Sequence, residues 1–288
     1  MAPNSVRSLL TYASSLVSRL PFGLQAPQPV ADIVPYVPLS GAPSCPIDGP
    51  TSCHNSTPVA VDSCCFVYPG GRFLLTQFWD ENSRGDTAED WTLHGLWPDR
   101  CDGSYDQFCN LTPQFNNISA VLEHYGHGEL VDFMNRYWIA DRGPNSRLWA
   151  HEYNKHGTCI NTLATTCYGD SHQTGVEVVD YFTRATALFR TLDTYHALER
   201  AGIVPHSRQH YPLVDIVDAL EKFSGGRVVL RCNGRGRLLH EVWYVYHVKG
   251  SLQSGQFVPA QDLGKEGNAG NCAPWVRYMP KKSSWADL

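Results

Sequence analysis

Ten cysteines, two of them adjacent, constrain this chain of 288 residues more than any other feature. Neighbouring cysteines cannot readily reach disulfide geometry with each other. Cys64 and Cys65 must therefore each find a partner elsewhere, which pins the four-cysteine segment 45–65 to two distant parts of the fold. No C-x-x-C pair occurs, which argues against zinc ribbons and thioredoxin-like redox sites. An even count with scattered spacing reads as disulfides formed in an oxidising compartment.

The chemistry concentrates in His151-Glu152-Tyr153-Asn154-Lys155-His156-Gly157-Thr158-Cys159. On a helix, positions 151, 152, 155 and 156 fall within an arc of about 140°, so all four polar heads are expected to point at the same space. A merely solvated face more often carries Lys and Glu than two His. A zincin would need His at i and i+4; here position i+4 is Lys155, and His156 lies too far round the helix to share a metal well. Two imidazoles that exchange protons near neutrality, with an ammonium to stabilise an oxyanion, suit acid–base work on a phosphate ester. A second such group is offered by Trp91-Thr92-Leu93-His94-Gly95-Leu96-Trp97-Pro98-Asp99. This stretch reads as a strand from Thr92 to Trp97 leading into a Pro turn, with Gly95 permitting close approach of a backbone or ligand. Taken alone, His94 and Trp97 are each more often core residues.

Together, WTLHGLWPD and HEYNKHGTC closely resemble the two active-site segments of the T2-type ribonuclease family, in its fungal form. The resemblance covers the chain from about Cys45 onward. It implies metal-free cleavage of single-stranded RNA, with no cofactor, through a 2′,3′-cyclic phosphate. It implies His156 as base, His94 as acid, His151 for phosphate binding, and Glu152 and Lys155 for the transition state. Trp97, Asp99 and Tyr105 correspond to positions that bind the base 5′ to the cut, and Gln77 to one that holds the second base. The segment 139–148 departs from the family pattern, which leaves that second preference open. The resemblance also selects the pairing Cys45–Cys65, Cys53–Cys101, Cys64–Cys167, Cys109–Cys159 and Cys232–Cys272. DNA, lacking the 2′-hydroxyl, is expected to be inert.

Residues 1–25 read as a weak signal peptide, although an Arg-containing, acid-free segment also fits a mitochondrial presequence. Three sequons, at Asn55, Asn110 and Asn117, join the cysteines in favouring the secretory route, to the exterior or to a vacuolar compartment. No apolar run is long enough to span a bilayer. A Pro-rich approach, 26–44, precedes a single domain, 45–288, expected to act as a monomer.

Within that domain RFLLTQFW (72–79) is the first core strand, and Val228–Cys232 and LLHEVWYVYHV (238–248) are further strands. Thr112-Pro113 looks like a helix start. Helical spacing marks 118–125, 130–138, 176–192 and 212–223, the last ended by Gly225-Gly226. The expected class is α+β, an antiparallel central sheet packed with helices and stapled by disulfides. The formal charge of −5 with His neutral opposes RNA binding at neutrality, whereas protonating the twelve histidines reverses its sign and favours mild acid. The rival from another class is a binding glycoprotein with an inactive site. Simple binding, however, has no need of His94, His151, Glu152, Lys155 and His156 together.

Overall fold

The computed structural model describes residues 42, 44–54, 62–81, 89–263 and 270–282. The expected signal peptide, all but two residues of the 26–44 segment and the Asn55 sequon lie outside the described residues. The described elements are β1 (Arg72–Phe78), β2 (Thr92–Asp99), α1 (Ile118–His124), α2 (Gly128–Tyr137), α3 (Asn145–Lys155), α4 (Val176–Phe189), α5 (Thr194–Arg200), β3 (Tyr211–Pro212), α6 (Leu213–Ser224), β4 (Val228–Asn233), β5 (Leu238–Lys249), β6 (Gln256–Pro259) and β7 (Trp275–Val276). The main sheet runs β2-β1-β5-β4, with β6 paired to β5, and every pairing is antiparallel. This is the α+β class expected from the sequence.

Alternation divides the sheet into two faces. Phe73, Leu75, Val242 and Tyr244 are fully buried in the main core with Tyr181, Phe182 and Leu188 of α4 and with Trp138. Truncating one such buried aromatic to Ala typically costs about 3–5 kcal/mol. The opposite face carries Leu74 and Val245, which pack with Ala260 and with the partly buried Trp97 and Trp243. The site grows from this second face.

The helices begin and end for local reasons. Helix α1 starts at Ile118, where the Asn117 side chain accepts from Ala120 N at 3.3 Å, and not at Thr112-Pro113. The Thr112 hydroxyl is instead engaged with Tyr153 Oη at 2.8 Å. Helix α6 stops where Gly225 takes φ 74°, a conformation other residues rarely adopt. Asn110 and Asn117 are both exposed.

Five disulfides staple the described residues: Cys45–Cys65, Cys53–Cys101, Cys64–Cys167, Cys109–Cys159 and Cys232–Cys272. A native bridge in a secreted domain typically contributes about 2–5 kcal/mol. Cys109–Cys159 ties the turn after α3 to the loop before α1. Thr158 and Asn154 reinforce that tie. Thr158 Oγ1 accepts from Cys109 N at 3.0 Å, and the Asn154 amide holds the Phe115 backbone at 2.8 and 2.9 Å.

Candidate active site

Strand β2 does not run regularly. Thr76 of β1 lies opposite Gly95 and Gln77 opposite Leu93, which leaves His94 as the extra residue of a bulge. A bulge re-aims a side chain and recurs beside active sites. The His94 carbonyl is fixed by the Trp138 indole N–H at 2.6 Å. Its ring lies flat against Phe78, with centroids 4.0 Å apart.

Two carboxylates hold the His94 imidazole. Nδ1 lies 2.6 Å from Oε1 of Glu241 on β5, and Nε2 lies 3.4 Å from Oε1 of Glu152 on α3. An ionised carboxylate only accepts, so Nδ1 carries the hydrogen. Burial alone would lower the His94 pKa, but the charges and hydrogen bonds of Glu152 and Glu241 outweigh it and lift the value to about 9.

Glu152 is fully buried, and Gly95 makes room for it. A Cβ at position 95 would collide with the Glu152 carboxylate. The group that comes close to Gly95 is thus a side chain of this protein. Trp97 Nε1 donates to Glu152 Oε2 at 2.7 Å. Burial pushes the Glu152 carboxyl up, but His94, His156 and the Trp97 N–H hold it below its ordinary value.

His156 caps α3, its backbone N–H donating to Glu152 O at 3.0 Å. Its ring stacks on Trp97, 5.0 Å centre to centre and 20° from parallel. It is 4% exposed, and neither ring nitrogen has a hydrogen-bond partner among the described residues. Burial, aided by repulsion from Lys155, His94 and His151, overcomes the pull of Glu152 and takes the pKa down to about 3. Two imidazoles that share one carboxylate are therefore driven apart. His94 keeps its proton across neutrality while His156 is neutral.

The expectation that the four polar heads of α3 point at one space holds in part. Glu152 and His156 turn inward, whereas His151 is exposed near the edge of Phe108 and Lys155 is half-buried. The split follows the helical repeat: Glu152 and His156 form one i, i+4 pair and His151 and Lys155 another, about 100° round the helix, and the His156 backbone is still bonded to Glu152 O. With one histidine outside and the other beneath Trp97, the pair is not disposed to share a metal. Among the described residues no group of three or more His, Cys, Asp or Glu is suited to hold one.

Around this centre the base-contact candidates divide. Trp97 is half-buried and Tyr105 is 57% exposed, its loop braced by a bidentate Arg100–Asp106 pair at 2.7 and 2.9 Å. Gln77 needs correction: it is fully buried, its amide donating to Leu192 O at 3.1 Å and accepting from Thr194 Oγ1 at 2.6 Å. Strand alternation turns Gln77 into the core and presents Phe78 to the site. Asp99 also differs from expectation. The strand continues through Pro98, and Asp99 is buried opposite Arg72, a buried cation whose proton its charge helps retain.

Sequence reasoning missed Glu241, Phe78 and the anchoring Trp138. Glu241 had a signal: a carboxylate inside an otherwise apolar strand requires a partner. The 139–148 segment meets the site at a shallow recess formed by Phe78, Thr92, Ile139 and Asp141.

The pattern of the Ribonuclease T2 family matches residues 70–261. Ribonuclease T2 of Aspergillus oryzae is 45% identical over 242 residues, covering 84% of this chain and 85% of that protein. Ribonuclease Trv of Hypocrea rufa is 44% identical over 239 residues, covering 83% and 99%. Among solved structures, that of Actibind, named as a T2 ribonuclease, superposes with a TM-score of 0.76 at 39% identity, covering 83% of this chain and 99% of that one.

Proposed function

The chain belongs to the ribonuclease T2 family and is an endoribonuclease of that family, and on that premise we propose that it cleaves single-stranded RNA by acid–base transphosphorylation between His156 and His94. The observation that carries this reading is the opposite displacement of the two imidazoles, to about 3 and about 9. Groups pushed apart in this way are how a site assigns its acid and its base. His156, held neutral by burial, takes the proton of the 2′-hydroxyl. The 2′-oxygen attacks phosphorus, and His94 gives its proton to the departing 5′-oxygen. The products are a 2′,3′-cyclic phosphate and a free 5′-hydroxyl strand. Water then opens the ring to a 3′-phosphate with the roles reversed. Lys155 and His151, on the rim, meet the phosphate, and buried Glu152 keeps His94 charged, while burial keeps His156 neutral.

Glu241 is assigned here as a positioning residue. It fixes the His94 tautomer, aims Nε2 towards Glu152 and sustains the charge. The base 5′ to the cut is assigned to Trp97 and Tyr105, whose π faces accept any base. The 3′ base is assigned to the recess beside Phe78. Asp99 serves chiefly to neutralise Arg72.

The catalytic unit is taken to be 45–288, preceded by a Pro-rich approach and a signal peptide over 1–25. Its disulfides and sequons support passage through the secretory route. The site keeps His94 charged and His156 neutral between about 3 and about 9, and the formal charge of −5 with His neutral shifts the expected optimum to mild acid through RNA binding. The test is ³¹P NMR of a dinucleotide incubated with the protein and excess chelator. A cyclic-phosphate signal that precedes the 3′-monophosphate is expected. Direct appearance of a 5′-phosphate, or loss of turnover with chelator, would overturn the reading.

A further inference from the structure

Beyond Phe78 the surface continues away from the catalytic pair. The His240 ring lies 5.3 Å from that of Phe78. His240 sits at a second irregularity, where β4 pairs Arg231 with Glu241 and Cys232 with Leu239, leaving His240 unmatched. Adjacent residues thus serve the same edge, Glu241 reaching His94 and His240 reaching Phe78.

Past His240 lies a groove of about 220 Å³, with Leu238, Leu239 and the imidazole along it and with Asp80 and Glu81 on its β1 side. The β4–β5 hairpin that supplies Asn233 and Leu238 carries Arg235 and Arg237 between them. Both are exposed, and neither makes an ion pair with a described residue. Arg277 is fastened alongside, its backbone N–H donating to Arg237 O at 2.8 Å. The groove therefore has an apolar and acidic lining, and the hairpin that closes one side of it carries Arg235 and Arg237. Asp80 is balanced in part by Lys281, which lies over the Trp79 ring, so Glu81 is the main charge that would repel a phosphate inside. A base inside could lie on Leu238 and the His240 ring and donate its amino group to a carboxylate, leaving its phosphate to the hairpin.

We propose that this groove is a further nucleotide subsite for single-stranded RNA, taking the second nucleotide downstream of the cut, with Arg235 and Arg237 holding its phosphate. The direction rests on the assignment of His94 to the departing 5′-oxygen, since the strand that leaves must run from His94 past Phe78 towards His240. The site would favour RNA longer than a dinucleotide by binding the leaving strand.

The test uses chimeric oligonucleotides with one ribonucleotide, which defines a single cut, extended one deoxynucleotide at a time on the 3′ side. In the intact protein, kcat/KM should rise when the second downstream nucleotide is added, mainly through KM. Arg235→Gln with Arg237→Gln should remove that rise, about fivefold for two exposed charge pairs, and leave the dinucleotide rate unchanged. The slope of log(kcat/KM) against log salt should also become shallower by about 0.7 for each phosphate that is no longer neutralised. No rise with length in the intact protein, or an equal rise in the double variant, overturns the subsite. Failure to cleave the dinucleotide at all overturns the ribonuclease mechanism instead, so the two failures are distinguishable.

Discussion

Nδ1 of His94 and Oε1 of Glu241 lie 2.6 Å apart although 147 positions separate them in the chain. The bulge at His94 and the strand register Phe78↔Glu241 bring them together, and the contact sets the orientation and charge of the proposed acid. Glu241→Gln keeps the shape and removes the charge. A charge-assisted hydrogen bond is worth about 1.5–3 kcal/mol, so kcat should fall about 10- to 100-fold. The alkaline limb of the pH–rate profile should move towards neutrality, because His94 then loses one of the two carboxylates that raise its pKa. A merely structural Glu241 would lower the melting temperature without moving that limb.

The same two histidines give stability a pH dependence of opposite sign on either side of neutrality. His94 binds its proton more tightly when folded, so its contribution is complete below the ordinary value of 6.5 and is lost as pH rises towards about 9. His156 binds its proton less tightly when folded, so stability falls as pH drops from 6.5 towards about 3. The linkage follows from the difference in bound protons. Thermal melts across pH should show His94→Gln flattening the alkaline slope and His156→Gln flattening the acid slope. A substitution that flattens the opposite slope contradicts the assignment.

Asp99→Asn separates base reading from ion pairing. Asp99 and Asp262 both help Arg72 keep its charge, so the substitution should lower the melting temperature, by about 2–4 °C for each kcal/mol lost in a domain of this size. The ranking of dinucleotides by their 5′ base should stay as it is. A flattened ranking with an unchanged melting temperature would return Asp99 to base recognition.

Much of this arrangement was legible in the residues, and the gaps have physical causes. His94, Glu152 and His156 stand in two short motifs whose residue types already point to proton transfer. The α+β class followed from alternation in 238–248 and helical spacing in 176–192, and the strands and main helices lie close to where these patterns place them. Glu241 was passed over because strand periodicity marks burial and says nothing of partners across a sheet. Gln77 was misplaced by one residue: alternation sends it to Leu192 and Thr194 and gives the site to Phe78. The reach of Asp99 was misjudged because Pro98 reads as a turn, although at the end of an edge strand such as β2 a proline is tolerated. The α3 cluster divides into its two i, i+4 pairs, Glu152 with His156 and His151 with Lys155; which pair faces inward depends on how the helix docks, which spacing alone does not fix.

The central claim is that His94 and His156 hold opposite protonation states over the working range. Titration of the histidine ring Cε1–H signals by NMR, assigned with His94→Phe and His156→Phe, measures this directly. His94 should remain protonated through neutrality and titrate towards about 9, while His156 remains neutral well into acid, towards about 3. If both titrate together near 6.5, or His156 holds its proton to the higher pH, the assignment of base and acid to these two residues is contradicted.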